Sequence, residues 1–307
     1  MSSLDSTDLA GLTTNEKNLY LFYQKSGNIV EAFSENGDSP TTQSAQVASD
    51  AQDGGSPLTA YYVKEDMNYD KQPTIHMVYL NKDGSLVETV RRLSDDKWEE
   101  APKPPGKAIQ QSRITSGVTQ INRGPDSPPG SQWVYFTSQD GNKQPITELR
   151  RNNKGSFHVE RVLPEESLSL PGTHLACIIT YDGIDLYHQD HDKNIKRWRH
   201  DTQKGTPWQN KGIVIDGKRV MVRSPLAAVN HDGKNHIIYA DDQLRLRDLC
   251  EGKTLDVAPR VYAGAGINAM VYHNKVILFY KLVNPAGAIG TAMYTDGEWK
   301  EEGVFIK

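Results

Sequence analysis

The sequence predicts an all-β fold, a six-bladed β-propeller of four-stranded antiparallel blades, and three observations carry that prediction. A trio of short strand-like segments recurs six times along the 307 residues. The recurrence is near-even: the second segments align on Tyr23, Tyr79, Phe136, His188, Tyr239 and Tyr280, with spacings of 56, 57, 52, 51 and 41. The composition suits many short strands around a thin, divided core, with 36% hydrophobic residues, 25 Gly, 16 Pro and 14 Tyr. Four-stranded sheets repeated around an axis make a propeller.

Blade 1 (about 8–55) opens on the small-residue segment DLAGL (8–12), passes through the aromatic LYLFYQ (19–24) and turns into GNIVEAF (27–33). Blade 2 (56–114) repeats this with PLTAY (57–61), IHMVYL (75–80) and GSLVETV (84–90), then a Trp-bearing fourth segment, DKWEEAP (96–102). Blade 3 (115–172) reads GVTQI (117–121), QWVYFT (132–137) and QPITELR (144–150). Blade 4 (173–223) reads HLACI (174–178), IDLYHQ (184–189), KNIKRWR (193–199) and TPWQNKG (206–212). Blade 5 (224–263) reads PLAAV (225–229), NHIIYA (235–240) and DQLRLRD (242–248). Blade 6 (264–307) closes with GINAM (266–270), VILFYK (276–281), GAIGTAM (287–293) and GEWKEEG (297–303).

Alternation of apolar and polar residues within each unit is the signature of half-buried antiparallel strands. The first strands are expected to line a central channel, where close approach selects Ala10, Gly11, Ala60, Ala176, Ala227, Ala228 and Ala269. Two stacked sandwiches are the alternative arrangement; even spacing favours the ring, which leaves few exposed sheet edges. The Pro/Gly-rich stretches SENGDSPTTQ (34–43), APKPPGK (101–107) and RGPDSPPGSQ (123–132) read as loops between strands or blades. The second is expected to fold over a face.

Several function classes are excluded. A net charge of −4 with scattered Lys and Arg gives no footprint for nucleic acid. No apolar run approaches the length of a membrane span, and residues 1–20 lack the basic start and apolar stretch of a signal peptide. The chain is therefore expected in the cytoplasm, or outside the cell after a leader has been cleaved. Cys177 and Cys250 make neither a disulfide framework nor a CxxC pair. GxSxG, Walker, HExxH and GxGxxG motifs are all missing, so hydrolase, NTPase, zinc-protease and dinucleotide readings have no support.

The order of small-residue strand, aromatic strand ending in YQ, NGxIxE-like strand and Trp strand resembles the fungal fucose-specific lectins, from about residue 8 to 305. The resemblance is clearest in NLYLFYQKSGNIVEAF (18–33) and LVETVRRLSDDKWEE (86–100). It implies six inter-blade sugar sites, each with an Arg on the second strand, a Glu on the third and an aromatic, often the next blade's Trp. Charge-assisted bonds select hydroxyl geometry, and a flat ring matches an apolar sugar face. Here the Arg position holds Tyr20, His76, Trp133, Asp185, His236 and Ile277. The Glu position is kept as Glu31, Glu88 and Glu148, becomes Arg197 in blade 4 and Thr291 in blade 6, and aligns ambiguously around Leu246 in blade 5. Trp98, Trp208 and Trp299 hold the Trp position, with Phe157 standing in for blade 3.

Loss of all six arginines moves the expectation away from a plain lectin. The chain is also similar to the fungal lectin-fold cyclases that direct a hetero-Diels–Alder [4+2] addition in tropolone–sesquiterpenoid biosynthesis. That likeness implies a cofactor-independent, metal-free cyclase that orients a tropolone quinone methide and a terpene alkene. His76, Glu31, Glu88 and Glu148 are then the candidate catalytic residues, as hydrogen-bond donor and proton carriers. Tyr20, Trp98, Trp133, Arg197, Trp208 and Trp299 are the candidate substrate-binding residues. The alternative is a carbohydrate-binding lectin of altered or reduced specificity, and a scaffold without a small ligand is the third reading. The oligomeric state stays open.

Each candidate also has a structural explanation. The three tryptophans suit inter-blade packing, the three glutamates suit a solvated strand face, and His76 and His236 suit ordinary strand positions. In DLYHQDHDKN (185–194), His188, Asp190, His191 and Asp192 resemble a metal cluster, but alternation and a turn separate them. In KRWRH (196–200), Lys196, Trp198 and His200 share one strand face, and Arg197 and Arg199 share the other.

Overall fold

The computed structural model describes residues 7–15, 18–35, 40, 42–95, 97–120, 128–140, 143–164, 167–258, 260–262, 264–285 and 287–307. Parts of the loops 34–43 and 123–132, and the Ile121 end of GVTQI, lie outside the described residues.

Among the described residues, twenty-four strands form six four-stranded antiparallel sheets, each built from consecutive strands. Blade 1 comprises β1 (Leu9–Asn15), β2 (Asn18–Lys25), β3 (Asn28–Ser34) and β4 (Thr42–Ala48). Blade 2 comprises β5 (Leu58–Asp66), β6 (Gln72–Leu80), β7 (Leu86–Arg92) and β8 (Glu99–Glu100). Blade 3 comprises β9 (Ile114–Val118), β10 (Gln132–Thr137), β11 (Ile146–Arg151) and β12 (His158–Val162). Blade 4 comprises β13 (Ala176–Thr180), β14 (Gly183–Gln189), β15 (Ile195–His200) and β16 (Gln209–Ile215). Blade 5 comprises β17 (Leu226–His231), β18 (Lys234–Ala240), β19 (Leu246–Cys250) and β20 (Lys253–Ala258). Blade 6 comprises β21 (Asn268–Tyr272), β22 (Lys275–Lys281), β23 (Ile289–Thr295) and β24 (Glu298–Ile306). The first strands pack side by side around the axis, and β1 against β21 closes the ring. Among the described residues no helix is long and apolar enough to cross a membrane.

The hydrophobic interior is divided into six wedges, one at each blade–blade interface. Alternate residues of each second strand serve different wedges: Ile75 and Met77 pack toward blade 1, while Val78 and Leu80 pack toward blade 3. This is why the low apolar fraction suffices. Each wedge is thin, and no single core must span the molecule.

The channel holds a cavity of about 170 Å³ lined by Gly11, Ala60, Ala176, Ala227, Ala228 and Ala269, as the small residues predict. Gly11 lies close against the Met270 and Asn268 side chains of blade 6. Ala10 is a correction: it points into the blade 1–blade 2 wedge. The first strand of blade 3 is a second correction. It runs over ITSGV, and Gly117 pairs with Trp133, so Thr119 and Gln120 fall in the following loop. The fourth strand of blade 2 shrinks to two residues, with Trp98 just before it. The third strand of blade 5 begins only at Leu246. In the 101–107 loop, Gly106 lies against the Phe136 ring of the next blade.

Candidate functional site

Cross-strand register aligns the six inter-blade positions. Tyr20 and His76 precede by two residues Phe22 and Val78, which pair with Glu31 and Glu88. The same step leads from Trp133 to Tyr135 opposite Glu148, and from Asp185 to Tyr187 opposite Arg197. In blade 5 it leads from His236 to Ile238 opposite Asp248, which resolves the ambiguity at Leu246. In blade 6 it leads from Ile277 to Phe279 opposite Thr291.

The arginines missing from the second strands return from a different element. Arg91 and Arg151 each lie three residues after a glutamate, in VETVRR and TELRR. An odd step along a strand crosses the sheet, so each guanidinium serves the site of the preceding blade. The pattern ExxR in a strand was the available signal.

Between blades 1 and 2, Arg91 Nη2 lies 3.2 Å from Glu31 Oε1. Its guanidinium stands 5.4 Å from the Tyr20 ring centre and 5.3 Å from that of Trp98. Tyr20 packs on Phe33 with centroids 4.9 Å apart, and Trp98 meets Phe22 edge-on. Burial and the Glu31 charge push the Tyr20 hydroxyl upward, against the Arg91 charge. Phe33, Arg91 and Trp98 keep partial exposure. Arg91 Nε is buried without an acceptor among the described residues.

Between blades 2 and 3 the protein fills its own site. His76 sits between two carboxylates, with Nε2 at 2.7 Å from Asp66 and Nδ1 at 2.8 Å from Glu88. Arg151 pairs with Glu88 at 2.7 Å, Tyr61 donates to Glu88 at 2.9 Å, and the Tyr61 ring stacks on His76 at 4.8 Å. Burial opposes ionisation of Glu88, but Arg151 and His76 outweigh it and hold its carboxyl at about 2. Burial likewise opposes ionised Asp66, and the His76 hydrogen bond and charge hold its carboxyl low. Phe157 sits beneath the Arg151 guanidinium at 4.4 Å. His76 and Glu88 are fully buried.

Between blades 3 and 4, Trp208 Nε1 donates to Glu148 at 2.9 Å and Arg161 lies 3.6 Å away. Burial nevertheless raises the Glu148 carboxyl to about 7 against those two partners. Trp133 is buried beneath the Arg150 guanidinium, and Trp208 is buried against Tyr135 and His200. Between blades 4 and 5 the charges are exchanged: the acid is Asp185 and the base Arg197, joined by paired bonds of 2.9 and 3.0 Å. Arg199 adds a third contact to Asp185 at 2.9 Å. A polar cavity of about 520 Å³ opens beside Arg197, Arg199, Lys204 and Lys211.

Between blades 5 and 6, Asp248 accepts from His236 at 2.7 Å and from Trp299 at 3.0 Å. The sixth interface is apolar, with Ile277 and Phe279 packed on Leu19 and Leu21. In the 185–194 segment, Asp190 closes the turn through Asp192 N, Asn194 and Lys196, and His188 faces the Gln189 carbonyl. Among the described residues no group of three or more His, Cys, Asp or Glu side chains is placed to hold a metal ion.

The candidates therefore do not converge on one pocket. Tyr20, Glu31 and Trp98 share the first interface, His76 and Glu88 the second, Trp133, Glu148 and Trp208 the third. Arg197 lies at the fourth and Trp299 at the fifth.

No protein-family model and no curated protein matches the sequence. Solved structures do. The fucose-specific lectin of Aleuria aurantia superposes with a TM-score of 0.79 at 18% identity, covering 99% of this chain and 97% of that one. AofleA from Arthrobotrys oligospora gives 0.77 at 15% identity, covering 99% and 88%. The BP39L lectin of Burkholderia pseudomallei gives 0.68 at 12%, covering 98% and 99%. At these identities the likeness fixes the fold: the chain has the six-bladed propeller architecture of the fungal fucose-specific lectins.

Proposed function

We propose that the protein binds carbohydrate, of the fucose type, at the interface of blades 1 and 2. Glu31 accepts from sugar hydroxyls, Arg91 donates to them, and Trp98 offers its face to the apolar side of the ring. The observation that carries this reading is the Arg91 side chain, held against Glu31 and two aromatic rings and, like Trp98, still partly exposed. A guanidinium already held in place bonds a ligand oxygen with little reorganisation. The neighbouring lectins support the ligand class, since a single-residue mutant of the Aleuria aurantia lectin was solved with α-methyl-L-fucoside and with Fucα1-6GlcNAc. The other interfaces carry buried charge pairs or apolar side chains, and the polar cavity beside the fourth opens next to an Arg197 already paired with Asp185. The cycloaddition reading lacks comparable support, because its candidate residues are spread over five interfaces.

A glycan array with fucose competition tests the proposal. The expected result is selective, fucose-competed binding that Arg91→Ala weakens roughly 10- to 100-fold, the value of one lost charged hydrogen bond. A silent array overturns it.

A further inference from the structure

The fifth interface carries a second kind of chemistry, independent of sugar binding. Cys250 ends β19 directly opposite His236 in the β18–β19 ladder. Its Sγ lies 3.7 Å from His236 Nε2, while His236 Nδ1 lies 2.7 Å from Asp248 Oδ2. An ionised carboxylate only accepts, so Nδ1 carries the proton and the Nε2 lone pair faces the thiol. Trp299 Nε1 donates to the same Asp248 oxygen at 3.0 Å, and Tyr294 packs on the imidazole at 4.6 Å, so the ring cannot turn freely. Nucleophile, base and orienting acid thus stand in line. Cys250 is itself buried, 6% exposed, beneath the exposed Glu251–Gly252 turn, and Cys177 is the more exposed of the two cysteines.

We propose that Cys250 is a covalent-modification site, a nucleophilic thiol that adds to electron-poor conjugated carbon–carbon double bonds with His236 as base. Sulfur bonds to the β-carbon, the π-bond breaks, and the thiol proton passes through His236 Nε2 to the α-carbon. No leaving group or co-reactant is required. Burial, and the charges of Asp248 and Glu251 against that of Lys234, raise the thiol above its ordinary value, so at neutral pH it needs the base. The other groups facing this corner are His231 and Tyr294.

Cys177 is the internal control. Burial pushes its thiol up to about 11, and its partners are Thr115 and the Ser116 carbonyl, with no base. The experiment treats the full chain with limiting N-ethylmaleimide and quantifies both cysteine peptides by mass spectrometry from pH 6 to 10. Cys250 should react at least ~10-fold faster than Cys177 at neutral pH. His236→Gln should slow Cys250 roughly 100-fold there, the usual worth of a positioned base. That gap should narrow as pH rises toward 10 and hydroxide takes over removal of the thiol proton. Asp248→Asn, which removes a positioning residue, should show a smaller gap that narrows in the same way. Unfolding would accelerate Cys177 in the same sample, so the control reports it. Faster labelling of Cys177 in the unaltered protein, or a His236→Gln gap that does not change with pH, overturns the proposal.

Discussion

Glu88 and Glu148 occupy equivalent positions in neighbouring blades and have opposite electrostatic fates. Arg151 approaches Glu88 in a paired geometry and holds it ionised, whereas Glu148 has Trp208 and a more distant Arg161. The Glu148 carboxyl therefore rises from 4.5 to about 7. A carboxyl raised on folding favours the folded state fully below its unfolded value, and this advantage is lost as pH climbs through the folded one. The wild-type protein should thus lose about 3 kcal/mol of stability between pH 4.5 and 8 through this group. Glu148→Gln keeps an acceptor for Trp208 and removes the slope. Urea unfolding at pH 5 and pH 8 should show the variant gaining on wild type at the higher pH. A pH-independent difference would contradict the assignment. His188, lowered by burial to about 4, loses stability as pH falls below 6.5, but it is common to both proteins and cancels.

At the scale of strands, much was legible in sequence because period-two alternation and the repeated aromatic mark the same pleat in every unit. The first strand of blade 3 departs from the sequence expectation because GVTQI resembles the small-residue pattern, while the segment that pairs with Gln132–Phe136 is ITSGV. Arg91 and Arg151 lie on third strands, where the lectin-like pattern expects no arginine, and reach the site from the next blade. The Cys250–His236–Asp248 alignment depends on cross-strand register, which segment spacing does not supply. Register also makes Gly183 irreplaceable. A Cβ there would strike the His200 carbonyl oxygen, a backbone atom of the adjoining strand that cannot swing aside. Gly183→Ala should cost about 1–3 kcal/mol by chemical denaturation. A loss within about 0.5 kcal/mol, the level of an ordinary surface change, would show that the β14–β15 ladder accommodates it.

Across the whole molecule, six thin wedges replace a single core, and among the described residues blade 6 meets blade 1 through side-chain packing without a shared strand. The ring repeats geometry but not chemistry. Its interfaces hold in turn an open Glu–Arg–Trp set, a sealed His–Glu–Arg network, a raised carboxyl, an exchanged Asp–Arg pair, a Cys–His–Asp line and an apolar contact. The central claim is that sugar binding is confined to the first of these. Calorimetric titration of the full chain with methyl α-L-fucoside tests it most directly. The account predicts one saturable site per chain, lost in Arg91→Ala. Several equivalent sites, or a single site indifferent to Arg91, would contradict it.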